Sequence, residues 1–247
     1  MKNEGITTIK LTLYGKAIEL ALVVPEQRVT PLSLLPVLHE IDNKFIETAV
    51  EVFVEENETI SCKAGCGACC RQLVPLAEFE AYQIAFLVEQ LPMLRRTAVK
   101  KKFDEAVSKL EDIYWLKQLE ELLENEPSKE DIQAHALAYF YQNIACPFLE
   151  AESCSIHPDR PLACREYLVT SPAENCRNPT TTGIKHIELK FQVSKIVRQL
   201  WKTDHIKKVD SVPMIYSLEW VKKHPNKFSK KSGKKWLSEF FNYLSES

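Results

Sequence analysis

Eight cysteines, confined to two short segments, constrain this chain more than any other feature of its sequence. None lies in the first 61 residues or in the last 71. The cysteines are Cys62, Cys66, Cys69 and Cys70 in the first segment, and Cys146, Cys154, Cys164 and Cys176 in the second. Cysteines that only fill a core would be scattered among apolar positions, whereas these lie beside glycines and prolines that are typical of loops. The pattern predicts two cysteine-rich metal-binding loops, with all eight thiols as metal ligands.

The first segment, residues 62–71, reads Cys-Lys-Ala-Gly-Cys-Gly-Ala-Cys-Cys-Arg. Its four thiols can reach one metal ion or cluster at little cost in loop-closure entropy, because so few residues separate them. A helix would place the thiols on one face, but Gly65 and Gly67 favour a tight loop that directs backbone N–H groups toward sulfur. Free buried thiols and disulfides are the alternatives. The adjacent pair Cys69 and Cys70 and the expected absence of a secretion signal count against disulfides.

The second segment, residues 146–176, contains several prolines, which reduce the entropy lost when a metal site closes. Thiolates around a divalent metal leave a net negative charge, so nearby arginines have an electrostatic reason to be there. Arg160 and Arg165 are therefore predicted as cofactor-binding residues that neutralise the site or clamp an anionic substrate. His157 and Asp159 are close enough in sequence to act as auxiliary ligands, although a lone histidine near a loop is more often a polar surface residue.

The residue types limit the choice of metal. Reduced thiolates suit zinc or an iron–sulfur cluster and disfavour hard ions such as calcium and magnesium. Eight thiols could complete two four-thiolate sites, or hold one cluster with ligands to spare. Neighbouring side chains point in different directions, so Cys69 and Cys70 are expected to serve different metals or different corners of one centre. The preferred grouping takes three ligands from the first segment and one from the second.

The Cys-x3-Cys-x2-Cys spacing of the first segment also matches the cluster motif of radical S-adenosylmethionine enzymes. Two features count against that interpretation. Ala68 stands where those enzymes usually have an aromatic residue. The chain also lacks the run of βα units from which they build a partial barrel.

Together, the two segments resemble a family of cysteine-cluster proteins named for the motif Cys-x-x-Cys-x-x-Cys-Cys and described as a zinc- or iron-chelating domain. The resemblance covers roughly residues 60–180. It rests on the eight cysteines in this order, with Cys146-Pro-Phe-Leu, Cys154-Ser-Ile and Arg160-Pro-x-x-Cys164-Arg165. His157 departs from the pattern, in which a tyrosine is expected. The resemblance implies metal or iron–sulfur binding. Because some relatives look like flagellin lysine N-methylases, it implies S-adenosylmethionine as a cofactor only if this chain is a methylase.

Hydrophobic periodicity predicts a mainly α fold with minor β-structure. Alternation from Ile6 to Val24 around Gly15-Lys16 indicates a β-hairpin, and alternation over 184–191 indicates a strand. Helical spacing, prolines and capping residues predict helices over 34–56, 76–90, 93–125, 128–144, 193–201, 215–223 and 236–244. We expect one helical domain with an N-terminal β-hairpin and two cysteine-rich metal-binding loops. Its expected parts are the hairpin and first helix (1–59), the cysteine-cluster core (60–180) and a basic helical extension (181–247).

Composition excludes several other classes of protein. The chain has 247 residues, and 45% of them are hydrophobic, which is enough for a packed core and excludes wholesale disorder. No apolar run approaches the roughly 18 residues that span a bilayer. Neither a Gly-x-Gly-x-x-Gly nor a Walker-type phosphate loop is present. A cytoplasmic location without membrane contact is expected, where thiols stay reduced.

Charge is unevenly distributed along the chain. Residues 1–150 carry 15 Lys and Arg against 24 Asp and Glu, whereas residues 151–247 carry 17 against 10. The lysines between Lys222 and Lys235 could form a nucleic-acid face, but the solvated side of short helices is the simpler interpretation, so nucleic acid is not the expected partner. Two function classes stay open. One is a metal-binding protein without catalysis, and the other is a metal-dependent enzyme with a protein substrate, such as a protein lysine methyltransferase.

Overall fold

The structure is a computed structural model that describes residues 4–125, 127–178, 183–204 and 211–246. Helices, with the short 3₁₀ helices included, account for 54% of the described residues and strands for 15%, which confirms the prediction of a mainly helical fold with minor β-structure. The helices are α1 (Leu35–Glu55), α2 (Glu78–Gln90), α3 (Met93–Asp112), α4 (Trp115–Glu124), α5 (Lys129–Phe140), α6 (Leu162–Glu166), α7 (Val193–Leu200), α8 (Ser217–Lys223) and α9 (Gly233–Glu246). No helix within these ranges is long and apolar enough to cross a membrane.

The strands pair as four small antiparallel sheets, β1–β2, β3–β8, β4–β7 and β5–β6. Their bounds are β1 (Glu4–Leu13), β2 (Lys16–Pro25), β3 (Arg28–Val29), β4 (Pro75–Leu76), β5 (Leu149–Glu150), β6 (Ser153–Cys154), β7 (Val212–Pro213) and β8 (Lys231–Ser232). The predicted N-terminal hairpin is confirmed as β1–β2. Its turn is Tyr14-Gly15, with φ values of 49° and 75°, as expected where both central residues of a two-residue turn are left-handed.

The first hydrophobic core lies between the hairpin and helices α1, α7 and α9. On β2, every second residue from Ile18 to Val24 is buried, as expected for a strand with one face against a core. Phe45 of α1, Trp201 after α7 and Phe240 of α9 are also buried in this core. Residues from both ends of the chain therefore contribute to the same core.

The second hydrophobic core is built mainly by α2, α3, the start of α4 and α8. The rings of Phe103 and Phe148 meet edge to face, with centroids 5.7 Å apart. Tyr82 of α2 donates a hydrogen bond from Oη to the carbonyl oxygen of His224, which follows α8. Cys146 and Cys154 pack against this core, so the second cysteine segment is attached to it.

Two predicted elements are wrong. The helix expected over 93–125 is interrupted at Tyr114, whose φ of 56° is left-handed. The break lets Trp115 turn inward, where it stacks on His135 at 4.3 Å and donates a hydrogen bond to the His135 carbonyl oxygen. The strand expected over 184–191 is reduced to a single bridge between Val169 and His186.

Candidate metal centre

The first cysteine segment forms a loop of turns between α1 and β4, as its glycines predicted. The backbone N–H of Cys66 donates to the carbonyl oxygen of Lys63, and that of Cys70 to the carbonyl oxygen of Gly67, at 3.1 and 3.0 Å. Gly65 has a φ of 86°, a left-handed conformation that favours glycine over any residue with a Cβ. These turns fold the segment back on itself and bring its four cysteines close together.

Gly67 allows the two cysteine segments to touch. A Cβ atom at this position would lie 2.4 Å from Leu149 Cδ1 and 2.5 Å from the carbonyl oxygen of Glu152, so only a glycine fits here without a shift. Beside this contact, the backbone N–H of Cys146 donates to the carbonyl oxygen of Cys70 at 2.7 Å. The β5–β6 hairpin of the second segment therefore lies directly on the first loop.

Ion pairs join the same two segments from outside. Arg71 contacts both carboxylate oxygens of Glu152, at 2.7 and 3.2 Å, and Arg177 contacts the same carboxylate at 3.0 Å. Glu152 and its neighbour Ala151 form the β5–β6 turn, with φ values of 59° and 48°. One glutamate therefore links the first loop, the β5–β6 turn and the region around Cys176.

Four thiols gather around Ala68 and Val169; we call Cys62, Cys66, Cys69 and Cys176 the first thiol group. The backbone N–H of Val169 donates to the Cys62 sulfur at 3.4 Å, the kind of N–H···S contact that the glycine-bearing loop predicted, although its donor comes from the second segment. Burial raises the pKa of Cys62, and it raises that of Cys176 to about 11.

The other four thiols meet beside the β5–β6 hairpin; we call Cys70, Cys146, Cys154 and Cys164 the second thiol group. Hydrogen bonds from Cys70 lower the pKa of Cys154 to about 6 and that of Cys69 to about 7, and the same bonds raise the pKa of Cys70. Burial raises the pKa of Cys146 to about 12 and also raises that of Cys164. The interaction between Cys69 and Cys70 thus joins the two groups.

The thiol groups border a cavity of about 140 Å³. Six cysteines line it: Cys66, Cys69, Cys70, Cys146, Cys154 and Cys164. Arg160 lines it too, and its charge lowers the pKa of Cys69 and Cys154, although the hydrogen bonds from Cys70 have the larger effect on both. The Arg160 Nη1 atom lies 3.0 Å from His157 Nε2, which is also in the lining. Arg160 therefore lies beside the thiols, and its assignment as a cofactor-binding residue stays a prediction.

Arg165 lies outside this lining and contacts a different part of the protein. Its Nε donates to the carbonyl oxygen of Arg160 at 3.1 Å, and its Nη1 donates to Asn43 Oδ1 of α1 at 3.0 Å. Its Nη2 donates to the carbonyl oxygen of Pro158. Arg165 therefore ties the turn that carries Arg160 to α1. Asp159, the other auxiliary ligand considered from the sequence, is exposed and lies outside the cavity lining.

Two buried carboxylates that sequence reasoning missed hold α6, the short helix that carries Cys164. Glu80 accepts hydrogen bonds from the backbone N–H groups of Ala77 and Leu162, both at 2.9 Å, and burial raises its pKa to about 7. Glu166 accepts from the backbone N–H and the hydroxyl of Ser194. The only signal in the sequence was the position of Glu80 in the first turn of a helix, where an acid is favoured.

The donor set fits zinc or iron, since soft sulfur ligands select these metals. Two thiolates on one tetrahedral zinc lie roughly 3.8 Å apart for Zn–S bonds of about 2.3 Å, which is also the range of an S–H···S hydrogen bond. Within the part of the chain that the structure describes, no three Cys, His, Asp or Glu side chains are already arranged to hold a metal ion. Cys70 instead interacts with Cys69 and Cys154, whose pKa values it lowers.

Comparison with protein families identifies the segment that contains this site. Residues 61–183 match the model of the CxxCxxCC family, described as "Putative zinc- or iron-chelating domain". The matched range contains all eight cysteines together with Arg160 and Arg165, and it supports metal binding by this part of the chain. Searches of curated proteins and of solved structures found no match. Through residues 61–183, the chain belongs to the CxxCxxCC family of zinc- or iron-chelating domains.

Proposed function

We propose that the protein holds zinc or an iron–sulfur cluster through its eight clustered cysteines, in two four-cysteine centres formed by the first and the second thiol groups. The observation that carries this proposal is the convergence of the two cysteine segments, which are distant in sequence but in contact through Gly67 and the β5–β6 hairpin. Structural zinc sites use four thiolates or imidazoles, so eight cysteines supply two complete sets.

The surroundings of most thiols support the division into two groups, and Cys69 interacts with members of both. Cys176 interacts electrostatically with Cys69, Cys62 and Cys66, whereas Cys70 interacts most strongly with Cys154. In this proposal the first group takes three ligands from the first segment and one from the second, which is the grouping preferred from the sequence. The second group takes one ligand, Cys70, from the first segment and three from the second. The adjacent residues Cys69 and Cys70 therefore belong to different groups.

Positive side chains beside the thiols support thiolate ligation. Arg160 lies next to Cys69 and Cys154, Lys102 acts on Cys146, and Arg71 acts on Cys70. Lys102 is held in place by the carbonyl oxygens of Pro147 and Leu149, at 3.4 and 3.3 Å from its Nζ. These charges offset the negative charge of a metal bound by four thiolates, which stabilises the loaded centre.

The test is metal analysis of anaerobically purified protein and of three variants. A brown protein that contains iron and sulfide indicates an iron–sulfur centre, and a colourless protein with stoichiometric zinc indicates thiolate zinc sites. Cys176→Ser and Cys164→Ser should each lose one centre in the presence of a chelator, and the double variant should lose both. Met214→Leu is the matched control, because Met214 brings a sulfur to the cavity but belongs to neither group.

Two results would count against the proposal. Wild-type protein that contains neither zinc nor iron contradicts metal binding by the cysteines. Loss of all metal in both single variants contradicts two separate centres and favours one polynuclear centre.

The second candidate function is a metal-dependent enzyme, and the observation that favours it is the cavity beside the second thiol group. A catalytic metal site needs an open coordination position and space for a substrate. In the version that involves a protein lysine methyltransferase, S-adenosylmethionine is the cofactor. Titration calorimetry with S-adenosylmethionine tests it, and the absence of heat from metal-loaded protein contradicts the methyltransferase version.

A further inference from the structure

A second cavity lies between the end of α7, the segment before β8 and the start of α9. Its volume is about 420 Å³, and no cysteine lines it. Among the residues that the structure describes, it shares no lining residue with the cavity beside the thiols. Ligand pockets usually enclose about 300–1,000 Å³. The second cavity is therefore separate from the metal centres and large enough for a small organic molecule.

The charge of this cavity is positive, because three lysines and one aspartate line it. The Nζ atom of Lys231 pairs with both carboxylate oxygens of Glu239, at 2.6 and 2.7 Å, so the charge of this lysine is already neutralised. Lys202 and Lys227 are exposed, and neither forms an ion pair or a hydrogen bond within the described ranges. These two lysines are therefore available to an anion, against the single carboxylate of Asp204 in the lining.

The same cavity has an aromatic wall. The rings of Trp201 and Trp236 are buried and meet edge to face, with centroids 5.2 Å apart. The ring of Phe228 is half-buried and contacts the ring of Phe79 edge to face, at 6.4 Å. All three rings of Trp201, Trp236 and Phe228 line the cavity, so a flat ring of a ligand has an aromatic surface to pack against.

Contacts from outside the cavity fix the backbone of its walls. The buried Glu78 carboxylate accepts hydrogen bonds from the backbone N–H and the hydroxyl of Thr203, both at 2.7 Å. Arg28 donates from Nε and Nη2 to the carbonyl oxygen of Lys230, at 3.0 and 2.7 Å. Because both walls are already held, a ligand has less conformational entropy to remove when it binds.

These groups together suit a molecule with three parts. Lys202 and Lys227 provide ammonium groups that pair with a phosphate. Asp204 provides a carboxylate that accepts hydrogen bonds from hydroxyl groups, and the aromatic wall accommodates a flat ring. We propose that this cavity binds a phosphomonoester that carries a hydroxylated sugar and a flat ring, the chemical class of the nucleoside monophosphates.

The test is titration calorimetry of the full chain, as purified with its metal, with adenosine monophosphate as the probe at low salt. Adenosine lacks the phosphate, and ribose 5-phosphate lacks the ring. We expect adenosine monophosphate to bind with one site per chain, and each counterpart to bind about tenfold more weakly or worse. Because salt screens the charges of exposed lysines, the affinity for adenosine monophosphate should also fall when the salt concentration is raised to about 0.5 M.

Two lysine variants test the position of the site. Lys202→Gln and Lys227→Gln should each weaken binding about fivefold, the effect of one ion pair near the surface, and the double variant should weaken it about twentyfold. Lys234→Gln is the matched control, because Lys234 belongs to the same lysine-rich region, is exposed and lies outside the cavity lining. Ser229→Trp should also weaken binding strongly, since it narrows the cavity from an exposed position without altering charge.

Metal content and the circular dichroism spectrum are measured for every sample, so that loss of this site is distinguished from loss of the metal centres or of the fold. Adenosine monophosphate that does not bind wild-type protein overturns the inference, and so does equal binding of adenosine or of ribose 5-phosphate. Wild-type affinity in the folded double variant also overturns it, because the nucleotide is then bound elsewhere. An equal loss in Lys234→Gln overturns it too, because general attraction to a basic surface then explains the binding.

Discussion

Replacing Gly67 with alanine tests whether contact between the two cysteine segments is required for metal binding. The added Cβ would lie 2.5 Å from the carbonyl oxygen of Glu152 and 2.8 Å from its carbonyl carbon. These are backbone atoms, so the contact cannot be relieved by a side-chain rotation. Leu149 Cδ1, at 2.4 Å, could move by changing its rotamer. The β5–β6 hairpin must therefore move away from the first loop.

The size of the effect follows from this geometry. Gly67 is outside the left-handed region, so alanine brings no backbone strain, and the whole cost comes from overpacking. Overpacking of a close contact costs about 1–3 kcal/mol, and we expect the free energy of unfolding to fall by this amount. Because the displaced hairpin carries Cys154, the affinity for metal should also fall by about tenfold or more, a factor worth roughly 1.4 kcal/mol.

The assay combines urea unfolding of metal-loaded and metal-free protein with chelator competition for the metal. Gly15→Ala is the control. Gly15 has a φ of 75° and nothing within 4 Å of the added Cβ, so alanine there costs about 1–2 kcal/mol of backbone strain without touching the cysteines. We expect both variants to lose stability, but only Gly67→Ala to lose metal affinity. Wild-type metal affinity in Gly67→Ala would refute the argument that the metal centres depend on this contact.

Three further predictions concern groups outside the thiols. Glu152→Gln removes an ion pair with two arginines, but since the carboxylate side chain is 45% exposed, the free energy of unfolding should fall only slightly, and the difference from wild type should shrink in 1 M salt. The pKa of Asp42 is raised to about 9, first by burial and then by the nearby charge of Glu166. The folded protein therefore keeps a proton that the unfolded chain releases above about pH 4. This group lowers wild-type stability as pH rises toward 9, so urea midpoints at pH 5, 7 and 9 should fall less for Asp42→Asn. Tyr114→Asn should raise stability by about 0.5–1 kcal/mol in thermal unfolding, because asparagine tolerates the left-handed conformation better than tyrosine; a lower melting temperature would contradict this.

Local patterns in the sequence predicted the elements that depend on local forces. The hairpin follows from apolar alternation on β2, and the turns of the first cysteine segment follow from Gly65 and the short cysteine spacing. The start of α5 follows from Ser128, whose hydroxyl accepts a hydrogen bond from the backbone N–H of Asp131. In each case, the residues that decide the structure are close together in the chain.

Distant partners decide the features that the sequence could not predict. The spacing of apolar residues continues through Tyr114, so nothing local marks the break between α3 and α4. The break occurs because Trp115 packs against His135, 20 residues further along the chain. Arg160 and Arg165 have the same side chain and lie in the same segment, so the sequence could not distinguish their roles. Only their tertiary contacts show that Arg160 lines the cavity beside the thiols and that Arg165 binds Asn43.

The position of α6 shows why a metal centre of this kind needs the rest of the chain. Leu162, at its start, is buried in the first core, whereas Ile156, just before it, is buried in the second. Cys164 is therefore placed by the meeting of the two cores, and the Glu80 carboxylate fixes the helix by binding the Leu162 N–H. A motif in a flexible peptide would supply the same sulfurs but would lose more conformational entropy on binding metal. The helices outside the cysteine segments reduce that cost, because they hold both loops in contact.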